Sequence, residues 1–310
     1  MTGPPSINAE RRQSIWKSVH HDLIQHALPD SRFHFDFLSF TPDFRESSVA
    51  TDRVVELPCY KAAKTLLVTP DNSLERLRHR ALKDGKKLLI GTYRLRRGFV
   101  LLNPERLNED EFERASWLDG MERPGIGRHL SLAQMQKEGI SVDLCVIGGL
   151  AFSTTGVVVW EGSGLFEVQF AMLQDIKALK GMTPVVAVAH SCQVVDEAEQ
   201  GLERIKPEKL GEVQCDFIVT PERVIEIEGA VKPAARVQFD ALDPTALDNI
   251  PPLQELKGIR MMDQIMHDGA FGETNGKGKE KEQATEKTPT AEEQMGISMV
   301  ERMMKGFKTV

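Results

Sequence analysis

Short runs of apolar residues recur along the chain without the alternation of polar side chains that marks a strand with one face in water. Residues 64–69 and 87–92 are two such runs, and a helical pattern over residues 73–84 lies between them. Strand, helix and strand in this order are typical of a parallel crossover. Strands that are buried on both faces need helices on both sides, so the sequence predicts an α/β fold with a mostly parallel sheet.

The same alternation continues toward residue 227. Further strands are predicted over residues 141–147, 152–160, 184–189, 215–220 and 223–227, and further helices over residues 6–27, 47–57 and 166–179. The hydrophobic content of 41% is enough to build a sizeable core. We therefore predict one α/β domain over residues 6–230.

The pattern weakens after this domain. Prolines interrupt residues 231–271, which are predicted to form an irregular extension. Residues 272–293 are mostly Gly, Lys, Glu, Thr and Gln, so they are predicted to be a disordered linker. Methionines at helical spacing predict a short amphipathic helix over residues 294–307, which either folds back or docks on a protein partner.

Composition excludes several classes of protein. The net charge of −7 offers no basic excess for a nucleic-acid backbone, so nucleic acid is not an expected partner. The sequence has neither a long apolar stretch nor a secretory leader pattern, and we expect a cytoplasmic protein that does not contact a membrane. The four cysteines are scattered without metal-binding spacing, which predicts free thiols.

A glycine-rich turn at residues 162–164 lies between a predicted strand and a predicted helix that starts near Leu165. Gly162 and Gly164 would let a ligand approach the backbone, and Ser163 lies between them. The first N–H groups of the helix would face an anion. A phosphate-binding loop and a sharp turn packed against a neighbouring strand are both compatible with this motif.

Two predicted strand ends carry polar residues. Arg94 follows the strand at residues 87–92, where ligands of open α/β sheets bind, and its guanidinium suits phosphate or carboxylate. His190 follows the strand at residues 184–189 and is either a structural or a catalytic histidine. Whether Cys192 and His190 form a nucleophilic pair depends on geometry that the sequence does not show.

Several landmarks taken together give the chain a family resemblance. In their order and spacing it resembles the 5-formyltetrahydrofolate cyclo-ligase family, also called methenyltetrahydrofolate synthetase, and within it the longer eukaryotic relatives. The landmarks are residues 12–16, residues 69–71 with Arg78, residues 81–86, residues 92–96 with Gly98 and Phe99, residues 146–148 with Ala151 and Ser153, the Gly162/Gly164 loop, His190 with residues 192–196, and residues 216–221.

The resemblance implies a three-layer α/β domain of the sugar-isomerase and CoA-transferase-like superfold. It also implies ATP and Mg²⁺ as cofactors and the ATP-dependent conversion of 5-formyltetrahydrofolate to 5,10-methenyltetrahydrofolate. The residue roles that it implies are phosphate binding by Arg12, Gly162, Ser163 and Gly164, metal binding by Glu167, catalysis by Arg94 and His190, and stacking of the folate on Trp16 and Phe99.

The chain departs from the family pattern at the predicted triphosphate site. Asn8 and Glu161 stand where relatives carry lysine, and Tyr93 replaces a proline beside Arg94. The first two changes remove positive charge, and Glu161 adds negative charge next to a predicted anion. They motivate two alternatives to the cyclo-ligase reaction: an ATP-independent isomerase or cyclase of another small heterocycle, and a non-catalytic folate- or nucleotide-binding protein.

Overall fold

The computed structural model describes residues 7–37, 39–161, 165–199, 201, 205, 212–232, 236–241 and 244–272. The chain divides into two units, Met1–Pro251 and Pro252–Val310. The first unit contains the sheets and all the predicted site residues. The predicted linker beyond residue 272 and the predicted helix at residues 294–307 lie outside the described residues.

The described helices are α1 (Ile7–His26), α2 (Ser47–Glu56), α3 (Pro58–Ala62), α4 (Glu75–Lys83), α5 (Phe112–Ser116), α6 (Leu132–Glu138), α7 (Phe166–Asp175), α8 (Pro244–Asn249) and α9 (Pro251–Gly272). The described strands are β1 (Ala27–Leu28), β2 (Asp43–Phe44), β3 (Thr65–Val68), β4 (Lys87–Gly91), β5 (Phe99–Leu102), β6 (Arg128–Leu130), β7 (Leu144–Ile147), β8 (Ala151–Ser153), β9 (Val158–Trp160), β10 (Val185–Val188), β11 (Val194–Val195), β12 (Phe217–Val219) and β13 (Val224–Glu226).

The main sheet contains eight of the described strands, in the order β13-β12-β10-β7-β3-β4-β5-β6. The five strands from β12 to β4 are parallel. At one edge β13 pairs antiparallel with β12, and at the other edge β5 and β6 are added by antiparallel pairing. The predicted crossover from β3 through α4 to β4 is confirmed. The chain steps from β3 to β4 in one direction and from β7 to β10 and β12 in the other, so the strand order reverses between β3 and β7.

Helices cover both faces of this sheet. On one face, β-strand residues pack with α2, α4 and α5 in one apolar cluster that includes Leu66, Leu77 and Val146. On the other face, Leu67 and Cys145 are also fully buried. Helix α7 reaches that second face, because a Cβ atom on Gly91 would lie 2.6 Å from Oε1 of Gln169. The fold is therefore the predicted three-layer α/β arrangement.

Two predictions about secondary structure are wrong. The strand predicted over residues 152–160 is a hairpin, β8 and β9, which turns at Gly156 (φ 87°) and forms a separate three-stranded sheet with β11. The region predicted as an irregular extension, residues 231–271, contains α8 and α9. Pro251 and Pro252 begin α9 rather than interrupt it, because proline is compatible with the first turn of a helix.

Within the described residues, no helix combines the length and the apolar character needed to cross a bilayer.

Candidate functional site

The helix predicted to begin near Leu165 does begin there. Phe166 is the first residue of α7, and Leu165 precedes it in the left-handed region with φ of 50°. The predicted phosphate-binding residues Gly162, Ser163 and Gly164 lie outside the described residues. The N–H of Phe166 donates to Oε1 of Glu161. An amide at the start of α7, predicted to face phosphate, is therefore occupied by the protein's own carboxylate.

Arg12 joins α1 to the hairpin strand β9. Its Nη1 donates to the carbonyl of Val158 at 2.9 Å and to that of Val159 at 3.2 Å. Its Nη2 forms an ion pair with Oε1 of Glu212, and both side chains are 16% exposed. Arg12 is thus not the solvated surface charge that a helical arginine usually is, because both ends of its guanidinium are held by the fold.

A small cavity of about 80 Å³ lies where these segments meet. It is lined by Arg12, Ile147, Val158, Glu161, Phe166, Glu167 and Glu212. Ile147 ends strand β7, which borders the point where the strand order of the main sheet reverses. Ligands of open α/β sheets bind in crevices at the carboxyl ends of strands at such a switch point. The structure therefore brings Arg12 and Glu167, both predicted as binding residues, into one cavity at that position.

The cavity is acidic, since its lining contains three carboxyl groups and one guanidinium. Burial, and to a smaller extent the nearby carboxylates of Glu167 and Asp71, raise the pKa of Glu161 from 4.5 to about 8. The N–H of Phe166 acts in the opposite direction but does not compensate. Arg12, the one cation among the described residues of the lining, is already paired with Glu212. An anionic ligand would therefore meet more negative than positive charge here.

Glu167, the predicted metal ligand, lies on the first turn of α7. It accepts a hydrogen bond from the N–H of Val213 at 3.4 Å. Among the described residues, no group of three or more His, Cys, Asp or Glu side chains is arranged to hold a metal ion. Mg²⁺ is usually held by one or two carboxylates together with phosphate oxygens. Glu167 fits a magnesium ion that arrives with a phosphate ligand rather than one held by the protein alone.

Arg94 does not line the cavity. Its backbone has φ of 52°, and its guanidinium lies over the ring of Tyr93, 5.4 Å from the ring centroid. Tyr93 in turn donates from its hydroxyl to the carbonyl of Ser39 at 2.8 Å. Tyr93, which replaces a proline of the family pattern, therefore connects this loop by a hydrogen bond to the segment around Ser39, which follows α1.

The two aromatic residues predicted to stack on folate lie in different surroundings. Trp16 stacks on Trp160, with ring centroids 5.9 Å apart and an interplanar angle of 9°, and it packs edge-on against Phe37. It therefore joins α1 to β9 close to the cavity, without lining it. Phe99 is 1% exposed within β5. Its ring belongs to the core and is closed to a ligand, so the predicted contact of Phe99 with folate is not retained.

His190 also lies outside the cavity lining and caps a short turn at the end of β10. Its Nδ1 accepts from the N–H of Cys192 at 3.2 Å and lies 3.1 Å from the Sγ atom. One face of the His190 ring stacks on the ring of His26, with the ring centroids 4.1 Å apart. Burial and His26 lower the pKa of His190, while burial raises the pKa of Cys192 to about 12.

These pKa directions make the Cys192–His190 pair a neutral contact. A nucleophilic pair requires a thiolate beside an imidazolium, and both shifts oppose that state. The contact itself arises because the turn at residues 191–193 brings side chains together that an extended strand would place differently. The structure therefore gives His190 a capping role and leaves its predicted catalytic role without a partner thiolate.

Alkylation of Cys192 tests this description. In a Cys59→Ser variant, Cys192 is the one cysteine that is not buried, and we expect its alkylation rate to rise about tenfold per pH unit up to pH 9 or above, following the thiolate fraction. A Cys192→Ser variant with Cys59 intact is the matched control. A rate that levels off below about pH 8 would instead indicate a thiolate–imidazolium pair.

A polar cluster beside the cavity has no role in the sequence prediction. The carboxylate of Asp71, in the turn after β3, accepts from the hydroxyl of Thr69 and from the N–H of Gly148 at 3.1 Å. The buried Arg78 donates to the carbonyls of Thr69 and Asp71 and to that of Ser116. The family landmarks contained Asp71, Arg78 and Gly148, but only the fold shows that they hold together the two loops at the switch point.

Together, the open and mostly parallel sheet and the cavity at its switch point define an α/β protein with a candidate ligand site. The family model of the 5-formyltetrahydrofolate cyclo-ligase family matches residues 20–200. The chain belongs to this family. The match contains Glu161, Glu167 and His190, whereas Arg12 precedes it and Glu212 follows it.

Several named proteins are similar to the chain. The methenyltetrahydrofolate synthase domain-containing protein of Bos taurus is 30% identical over 219 residues, which cover 70% of this chain and 54% of that protein. The protein of the same name from Mus musculus is 28% identical over 249 residues, or 79% of this chain and 62% of that protein. The chain thus spans little more than half of these relatives.

A solved structure is similar in outline. The NMR structure of Aquifex aeolicus 5,10-methenyltetrahydrofolate synthetase is 19% identical and aligns with a TM-score of 0.40 over 75% of this chain and 99% of that one.

Proposed function

We propose that the protein is a cytoplasmic cyclo-ligase that converts 5-formyltetrahydrofolate to 5,10-methenyltetrahydrofolate with ATP and Mg²⁺. Membership of the cyclo-ligase family supports this reaction class. The observation that carries the assignment of a site is the convergence of Arg12 and Glu167 on one cavity, although they lie on different helices. These are the residues to which the family resemblance assigns phosphate and metal binding.

The proposed roles follow from the chemistry of each group. ATP supplies the phosphoryl group that makes the formyl oxygen a leaving group. Arg12 neutralises phosphate oxygens, and Glu167 supplies an oxygen ligand to Mg²⁺. The N-terminus of α7 adds backbone N–H donors and a positive partial charge. The protein then mainly positions two substrates and compensates charge, as expected for a phosphoryl transfer.

The acidity of the cavity favours a second candidate. Glu161 and Glu212 occupy donors that a triphosphate would use. A family member that has lost ATP dependence, and that isomerises or cyclises another small heterocycle, would have no need to keep those donors available. This candidate retains the scaffold and a small-molecule substrate but not the cofactor.

Turnover by the full-length protein separates these candidates. The cyclo-ligase reaction predicts that the near-ultraviolet absorbance of the methenyl product appears only when 5-formyltetrahydrofolate, ATP and Mg²⁺ are all present. Conversion without ATP would support the second candidate. Thermal unfolding supplies an independent readout, since a ligand at 100 times its dissociation constant stabilises the folded state by about 2.7 kcal/mol. Stabilisation by the folate without turnover would indicate a binding protein and would contradict the enzymatic proposal.

Replacement of Arg12 tests the phosphate role. In Arg12→Met we expect kcat/KM for MgATP to fall about ten- to a hundredfold, because a charge-assisted hydrogen bond contributes about 1.5–3 kcal/mol. The exposed Lys17 on the same helix provides a control, and Lys17→Met should leave kcat/KM unchanged. Thermal unfolding in the presence of the folate alone reports whether Arg12→Met is still folded. Equal kcat/KM values for Arg12→Met and the unsubstituted protein would contradict the proposed role.

A further inference from the structure

Two carboxylates of the protein occupy the two kinds of anion-binding donor at the cavity. Glu161 accepts from the N–H of Phe166 at the start of α7, and Glu212 pairs with the guanidinium of Arg12. Backbone N–H groups at a helix start and an arginine fork are the donors with which proteins bind phosphate. Both carboxylates line the same cavity.

We propose that Glu161 and Glu212 are internal competitors for phosphate, and that they set the affinity of the cavity for polyphosphate ligands. This inference rests on one part of the proposed function, namely that the phosphate groups of the substrate bind in this cavity. The glutamates act as specificity-determining residues, since a ligand gains the two donors only by displacing a carboxylate from each.

Geometry requires this displacement. A single N–H cannot donate a full hydrogen bond to a carboxylate and to a phosphate oxygen at once, so a phosphate gains the N–H of Phe166 only when the carboxylate of Glu161 leaves it. Charge adds to the competition, because the residues around Glu161 include Arg12 from α1, Asp71 from the turn after β3, and Glu167 from α7. Incoming phosphate would meet repulsion from each carboxylate that remains ionised.

The two competitors belong to separate segments. Glu161 directly follows β9, whereas Glu212 lies 200 residues from Arg12 in the sequence and is followed by the segment leading to β12. The carboxylate of Glu161 is held by the N–H of Phe166, and that of Glu212 is held by the guanidinium of Arg12. Substitutions at the two sites can therefore be measured singly and together.

Tripolyphosphate is a suitable probe because it carries the charge of the nucleotide without the base or the folate. Its affinity for the full-length protein is measured by titration calorimetry in the absence of Mg²⁺, so that attraction between metal and carboxylate does not mask repulsion. At pH 9, above the pKa of about 8 of Glu161, we expect binding by Glu161→Gln and by Glu212→Gln to tighten roughly tenfold, the scale expected when one like charge is removed near a partly buried anion. The double variant should bind more tightly than either single variant.

The control is Glu138→Gln, a matched change at an exposed glutamate on α6 that pairs with Arg128. It should bind tripolyphosphate as the unsubstituted protein does. Glu161→Ala removes the acceptor as well as the charge and should tighten binding at least as much as Glu161→Gln. Circular dichroism verifies that each variant is folded. If the variants at Glu161 and Glu212 bind within twofold of the unsubstituted protein, or if no variant binds tripolyphosphate, the inference is overturned.

Failure of this inference can be distinguished from failure of the proposed function. Methenyl formation by the unsubstituted protein, together with unchanged tripolyphosphate affinity in the variants, would overturn the competition and leave the enzyme assignment intact. Tighter tripolyphosphate binding by Glu161→Gln, without methenyl formation by any protein tested, would support the competition and reject the cyclo-ligase reaction.

Discussion

Replacing Arg78 by methionine is expected to lower the free energy of unfolding by about 3–5 kcal/mol, because three buried carbonyls lose their donor at about 1–3 kcal/mol each. Arg78 has no exposed surface, and its guanidinium donates to the carbonyls of Ser116, Thr69 and Asp71 at 2.8–3.1 Å. Methionine fills part of the volume but leaves these buried carbonyls without a donor. Chemical denaturation followed by circular dichroism measures the loss.

A matched control lies two residues away on the same helix. Arg80 is exposed on α4 and pairs with Asp84 four residues later, so Arg80→Met should change the free energy of unfolding by no more than about 0.5 kcal/mol. A similar effect of the two substitutions would mean that the buried hydrogen bonds of Arg78 do not stabilise the fold. Burial lowers the pKa of Arg78 to about 10, but the group remains charged at neutral pH and the comparison does not depend on pH.

The second large effect is a loss of stability with rising pH that depends on Glu161. The pKa of this carboxyl in the folded protein is about 8, against an ordinary value of 4.5, so the folded state binds the proton more tightly than the unfolded chain does. The protonated carboxyl should therefore make its full contribution to the free energy of unfolding below about pH 4.5. This contribution should be lost as the pH rises through 8. We expect a loss of about 2–4 kcal/mol, less than the full shift implies because the side chain is partly exposed.

Glu161→Gln should remove this dependence, since glutamine cannot ionise and can still accept from the N–H of Phe166. The measurement is urea denaturation of both proteins between pH 5 and pH 8.5. Glu138→Gln is again the control, because the guanidinium of Arg128 lowers the pKa of Glu138 and no slope is expected from it in this range. Parallel curves for Glu161→Gln and the unsubstituted protein would contradict the prediction.

Regular elements were predictable because local periodicity and apolar runs determine them. The helix predicted over residues 73–84 appears as α4, and the strands on either side of it pair in parallel as expected. The hairpin of β8 and β9 was missed because each strand has only three residues and the threonines between them, Thr154 and Thr155, are themselves common in strands. Only the positive φ of Gly156 and its close approach to the carbonyl of Cys215 show where the strand must end.

The candidate site was predictable in part. Family landmarks indicated Arg12 and Glu167, which do share a cavity, but they also indicated Phe99, which is buried in β5. An aromatic residue near a strand end has the same sequence pattern whether it faces a ligand or the core. His190 and Cys192 are close because of a short turn, and neither residue type nor spacing reveals that turn.

The sequence by itself determined the parallel part of the main sheet, its crossovers and the placement of a carboxyl group at position 161, since these depend on residue type and local order. Only the tertiary structure decided which groups meet. The pairing of Arg12 with Glu212, and the donation from the N–H of Phe166 to Glu161, depend on how α1, β9 and α7 pack around one cavity. Electrostatic energy varies with distance and burial, and both are properties of the folded chain rather than of the order of its residues.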